Sequence, residues 1–212
     1  MHEAIVIDIY SDTICPWCYI GLAKLKAAIN ESAIKNIKLI WRPFQLNPNM
    51  PLLGMERQKY LEEKFGGKKN ADLNYSIIYE KGLENNIHFQ FEKIKITPNS
   101  LASHKLLALA YKFNKQTEVV ETLFYNYFIE GIDIGNLDTL IRIAKLYKIN
   151  DKNTLKYLSS DEDLNNLLSE EKHARELGVK GVPCFIINKE FVLFGAQEKN
   201  IFLDFFSKVA YG

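Results

Sequence analysis

Residues 12–21 read DTICPWCYIG, and the two sulfurs of Cys15 and Cys18 decide how the chain is read. A C-x-x-C pair serves as a metal clamp, a structural bridge, or a dithiol that cycles with its disulfide. The stretch before it, AIVIDIY (4–10), is apolar except for Asp8 and rich in β-branched residues, as expected of a strand covered on both faces. After it, Leu22, Leu25 and Ile29 recur at helical spacing, with Lys24 and Lys26 expected to turn outward. The pair therefore sits where a strand gives way to a helix. With Cys15 at the N-cap and Pro16 at the first helical position, the proline sacrifices no helical hydrogen bond. The free amides of Trp17 and Cys18 are then expected to point at the Cys15 sulfur and favour its ionised form. Cys18, one turn inward, lacks those donors and is expected to remain a thiol. Cβ atoms at this spacing on a helix lie about 5–6 Å apart, against about 3.5–4.5 Å in a disulfide. A small adjustment closes the gap, which suits a bond that forms and breaks.

Bulk properties narrow the options. The 212 residues carry a net charge of +1, so nothing in the composition selects nucleic acid or an anionic membrane as partner. The start MHEAIVIDIY lacks the basic and apolar regions of a signal peptide, and no window reaches membrane-spanning length; the expected location is cytoplasmic. The cysteines stand at 15, 18 and 184, and in a reducing compartment an isolated C-x-x-C is catalytic or metal-binding rather than a permanent bridge. Zinc asks for about four ligands; the histidines at 2, 88, 104 and 173 stand singly, and no second C-x-x-C exists. Tyr19 follows Cys18 where a haem attachment motif requires histidine. No metal site is expected.

IKLIWRPF (37–44) reads as a second strand, so the chain opens β-α-β with parallel pairing. Helical periods then run for over a hundred residues. Helices are expected over MERQKYLEEKF (55–65, stopped at Gly66-Gly67), ADLNYSIIYEKGLEN (71–85) and PNSLASHKLLALAYKFN (98–114, with Pro98 near its start). Two more are expected over TEVVETLFYNYFIE (117–130) and over LDTLIRIAKLY (137–147), the latter capped by Asn136. IHFQFEKIK (87–95) reads as extended. DEDLNNLLSEEKHAREL (161–177) reads as a helix with early acids and late bases matching its dipole. Cys184–Asn188 and Phe191–Phe194 form a hairpin about Lys189-Glu190, and EKNIFLDFFSKVA (198–210) a last helix. The expected class is α/β, a thioredoxin-like fold (1–52 and 162–212) with an inserted all-helical domain (53–161).

GVKGVPCFIIN (178–188) places Pro183 at the start of a strand after two glycines. In a thioredoxin-type fold a cis proline faces the C-x-x-C there, and the backbone of its neighbour, Val182, pairs with an extended peptide.

Taken with WRPFQLNPNMP, SLASHKLLALA and YFIEGIDIGNLDTLIRIA, these segments resemble the FrnE-like branch of the DsbA family, in order over nearly the whole chain. The resemblance implies a thiol:disulfide oxidoreductase or isomerase with Cys15 as nucleophile, Cys18 as resolving thiol and Pro183 as the cis proline. It implies substrate contacts at Pro16, Trp17 and Val182, and protein thiols and disulfides as partners. No cofactor is implied beyond the Cys15–Cys18 disulfide, with glutathione or a thioredoxin-type reductant as electron partner. Pro16-Trp17 lacks the histidine of the strongly oxidising members, so a less oxidising enzyme is expected. Cys184 stands where a bulky apolar residue is expected and reads as buried filler turned away from the active face.

Asp12 reads as a loop stabiliser or a proton relay for Cys18, and Asp8 as a second candidate base. Trp17 reads as a substrate-facing rim, Tyr19 as packing, and His104 as a satisfied interface histidine. Two other readings stay open: a kappa-class type of glutathione-dependent transferase or isomerase, and a non-enzymatic partner-binding module.

Overall fold

The computed structural model describes residues 4–149 and 154–211. The first three residues of the expected 1–52 segment, 150–153 of the expected insertion, and Gly212 lie outside it.

Period-two alternation builds the centre. Strand β1 (Ile5–Ser11) turns Ile5, Ile7 and Ile9 to one face and Asp8 and Tyr10 to the other. It pairs in parallel with β2 (Ile37–Pro43), Ile5 opposite Ile37 through Ser11 opposite Pro43. On its other side it runs antiparallel to β5 (Cys184–Ile187), which pairs antiparallel with β6 (Phe191–Phe194). The sheet order is β2-β1-β5-β6. Helix α1 (Pro16–Glu31) makes the crossover between β1 and β2, and α9 (Lys199–Tyr211) packs beside it. Lys24, expected outside, is only 6% exposed: its ammonium bonds Glu198 at 2.5 Å and the Ala196 carbonyl at 3.4 Å, just ahead of α9.

Between β2 and β5 come β3 (Met55–Glu56), α2 (Arg57–Phe65), α3 (Lys68–Leu83), a 3-10 turn (Phe91–Lys93) and β4 (Ile96–Thr97). Then follow α4 (Leu101–Lys112), α5 (Gln116–Phe128), α6 (Leu137–Leu146), α7 (Thr154–Ser159) and α8 (Leu164–Glu176). Glu56 caps α2 by accepting the amides of Gln58 and Lys59 at 2.9 and 2.7 Å, and Gly66 ends it at φ +71°. Asn136 caps α6 through the Thr139 amide.

Local readings fail where tertiary contacts intervene. Residues 87–95 are not a strand, because Phe89 and Phe91 stack at 4.7 Å inside an aromatic cluster; only Ile96–Thr97 pairs, with Met55–Glu56. Pro98 does not open α4. The Asn99 side chain accepts the Leu101 amide instead, and the helix starts there. Asp161–Asp163 precede α8 rather than filling its first turn, and the Asp163 carboxylate accepts from Tyr157 and Lys112 at 3.0 and 3.2 Å. The hairpin turns at Asn188–Lys189, both at positive φ, one residue earlier than expected.

The main core joins sheet and insertion. Ile7, Leu25 and Phe202 belong to the same apolar cluster as Leu106, Phe124 and Leu140. The other sheet face carries a smaller cluster of Tyr10, Phe44, Ala174, Val179, Cys184 and Ile186, covered by α8.

Candidate active site

β1 ends at Ser11, and the chain turns through Asp12–Ile14 before Cys15 opens α1. Asp12 is fully buried and ties the turn together. Its carbonyl accepts the Cys15 amide at 3.0 Å, and its carboxylate accepts the amides of Ile14 at 3.4 Å and Leu46 at 2.7 Å. The Thr13 hydroxyl reaches Ser103 Oγ at 2.7 Å, and Ser103 in turn donates to the Ser100 carbonyl. The insertion thus grips the loop that carries the dithiol.

Cys15 holds the N-cap with extended backbone (φ −96°, ψ 112°) and is 3% exposed. Of the two amides expected to face its sulfur, that of Cys18 bonds the Cys15 carbonyl instead at 3.0 Å, as does the Tyr19 amide at 3.4 Å. The thiol instead donates to the Val182 carbonyl at 3.7 Å. A protonated sulfur seeks an acceptor, and amide donors attract it only after the proton has left. Cys18 is buried against Cys15, and both are free thiols. Burial, and then contact with Cys15, push the Cys18 thiol well above its ordinary range; the Ser11 hydroxyl and the Asp12 backbone pull the other way. Ser11 Oγ is buried and otherwise without a hydrogen-bond partner.

The Val182–Pro183 bond is cis. A side chain at Gly21 would stand 3.0 Å from Pro183 and 3.2 Å from Phe185, so α1 lies directly on this segment because position 21 has none. Pro16 is buried; Trp17 and Val182 are half-buried against the main core. Tyr19 stacks on Phe124 at 5.2 Å. Cys15, Cys18, Pro16, Trp17, Val182, Pro183 and Asp12 are therefore brought together.

Asp8 is not. Alternation along β1 sends it to the opposite sheet face, where Arg42 Nε binds it at 2.7 Å. Cys184 lies on that face as well, fully buried, its thiol pushed up to about 11 by burial. His104, expected to be satisfied, has a buried Nε2 with no hydrogen bond. It stands 3.5 Å from Asp12 Oδ1, within ion-pair reach but off hydrogen-bond geometry. No sequence signal links His104 to Asp12, because 92 positions separate them. Among the described residues no helix is long and apolar enough to cross a membrane.

The chain is 25% identical over 198 residues to the uncharacterized protein YwbO of Bacillus subtilis (strain 168), covering 92% of each chain. Among solved structures it is similar to a probable DsbA oxidoreductase from Streptomyces coelicolor (19% identity, TM-score 0.88, 97% of this chain and 89% of that one). It is also similar to the cytosolic disulfide reductase DsbM of Pseudomonas aeruginosa (13% identity, TM-score 0.64, 96% and 97%), a protein also solved with GSH. At these identities the two structures speak for the fold. The family model that matches, the DSBA-like thioredoxin domain, spans residues 6–207 and so takes in the strand, the dithiol turn and the Val182–Pro183 segment alike: the chain belongs to the DSBA-like thioredoxin domain family.

Proposed function

We propose that the protein is a dithiol–disulfide oxidoreductase or isomerase that acts on protein disulfides in the cytoplasm through Cys15 and Cys18. The observation that carries this reading is the meeting of the Cys15 sulfur, the Cys18 thiol and the Val182 carbonyl at the start of α1. Ionised Cys15 attacks one sulfur of a substrate disulfide; the S–S bond breaks, one substrate thiolate leaves, and a mixed disulfide forms. Cys15 then carries no charge, so its repulsion of a Cys18 thiolate disappears. Cys18 loses its proton and attacks the Cys15 sulfur, expelling the second substrate thiolate. The substrate gains two electrons and two protons, and the enzyme dithiol supplies both. The Val182 backbone is the proposed docking edge for an extended substrate, with Pro16 and Trp17 beside it.

Glutathione or a thioredoxin-type reductant would return the pair to the dithiol; the complex of DsbM with GSH is the ground for naming glutathione. The placement in the FrnE-like branch rests on the sequence segments quoted above. Titration of the pair in glutathione redox buffers, read by mass after trapping, tests the proposal: a reversible two-electron transition confined to Cys15 and Cys18 is expected. Cys18→Ser is expected to stall as a mixed disulfide with a protein substrate. Full turnover by that variant rejects the dithiol mechanism in favour of a glutathione-dependent transferase or isomerase.

A further inference from the structure

Three acids are buried among the described residues: Asp8, Asp12 and Glu171. Asp8 binds Arg42 at 2.7 Å, and Glu171 binds Arg175 at 2.6 Å. Asp12, the most buried of them and part of the dithiol turn, has, among the described residues, only the His104 imidazole within ion-pair distance. A buried carboxylate without a counter-charge is costly, and so is a buried ring nitrogen without a partner. The two faults face each other.

The other charged side chains around His104 are already engaged elsewhere. His104 also lines a cavity of about 210 Å³ between β2, α4, α5 and α8. Arg42 of β2 is shared there by Asp8 and, at 3.5 Å, Glu170 of α8; Lys112 of α4 is taken by Asp163. The neighbouring Lys105 ammonium is held by the carbonyls of Tyr157, Leu158 and Ser160. Helix α5 lends the neutral Gln116, and α6 and α7, which also pack on α4, contribute no residue to the cavity.

We propose that His104 carries a proton on Nε2 that balances the Asp12 carboxylate, making it a positioning residue that sets the charge beside the Cys15–Cys18 pair. This rests on the dithiol reading above. An unbalanced Asp12 would repel a thiolate forming on the neighbouring Cys15; the imidazolium removes that repulsion. Glutamine in place of His104 keeps an N–H donor and lacks the charge, so it separates the two roles.

The experiment is the rate of Cys15 alkylation by iodoacetamide against pH, in a Cys18→Ser background. His104→Gln is expected to slow it at pH 7 by about threefold to tenfold and move the profile to higher pH. Once Asp12→Asn has removed the carboxylate, His104→Gln is expected to change the rate less than about twofold. A His104→Gln profile that overlays the parent, or an equal slowing with Asp12→Asn in place, overturns the proposal. Should the variant not fold, the 15N shifts of His104 in the unaltered protein serve instead: an imidazolium at pH 7 is expected, and a neutral ring overturns the proposal. If the intact pair fails to cycle in glutathione buffers, the dithiol reading falls, and that result is separate from either alkylation outcome.

Discussion

Cys15 and Cys184 carry the same functional group in two different surroundings. Cys184 is walled into the α8 side of the sheet with Tyr10 and Phe44, and burial alone pushes its thiol up to about 11. Iodoacetamide at pH 7 is therefore expected to label Cys15 in the native reduced protein and to leave Cys184 unmodified, as peptide mapping would show. Cys184→Ala is expected to leave the glutathione titration unchanged and to cost about 1 kcal/mol in urea unfolding, the typical scale for trimming a small buried side chain. A shifted potential would instead make the third thiol part of the cycle. The position of Cys184 was legible from alternation alone, since neighbouring strand residues face opposite ways. The same rule sends Asp8 away from the dithiol once Ile7 and Ile9 are assigned to the main core. The meeting of Asp12 with His104 was not legible, because no local period connects a loop to a helix 92 positions later.

Local chemistry governs where helices start. The Glu56 side chain caps α2 with two amide hydrogen bonds, which hold its carboxyl below the usual glutamate range of about 4.5. A depressed folded-state value means that the cap contributes in full above the unfolded value and is lost as pH falls through the folded one. Glu56→Ala is thus expected to lower the thermal midpoint at pH 7, and the deficit should shrink as pH falls below the usual glutamate range. A deficit that is independent of pH would mean the side chain acts by packing. This cap is not legible in the sequence, where the helical period runs from residue 55 through the capping residue itself. Gly66-Gly67 and Asn136 were legible because a helix stop and a cap each need a particular residue type. Pro98 misled, because proline suits an extended segment after β4 as well as it suits a first helical turn.

The helical insertion does not stand apart energetically. Phe124 of α5 is fully buried, stacks on Tyr19 of α1, and meets Trp41 of β2 edge-on at 6.4 Å. Phe124→Ala is expected to cost about 3–5 kcal/mol through lost burial and a residual cavity. Both tryptophans, Trp17 and Trp41, report on the sheet body, while most of the helical ellipticity comes from the insertion. Because one core serves both, fluorescence and far-ultraviolet dichroism are expected to follow a single unfolding curve, and Phe124→Ala should shift both equally. Two separated curves would show an insertion that folds on its own. The order of elements was legible as a thioredoxin-like plan, yet the shared core was not. Helical periodicity says which stripe is apolar and leaves open which neighbour covers it. The stack of Tyr19 on Phe124, one position past Cys18, bolts the helix that carries the dithiol to the neighbouring layer, while Cys15 sits recessed at 3% exposure. For the exchange proposed above, such a socket asks the slack of the client: linkages in floppy tails, open loops or small free molecules would bend inward, whereas those braced inside a finished globule would stay out of reach.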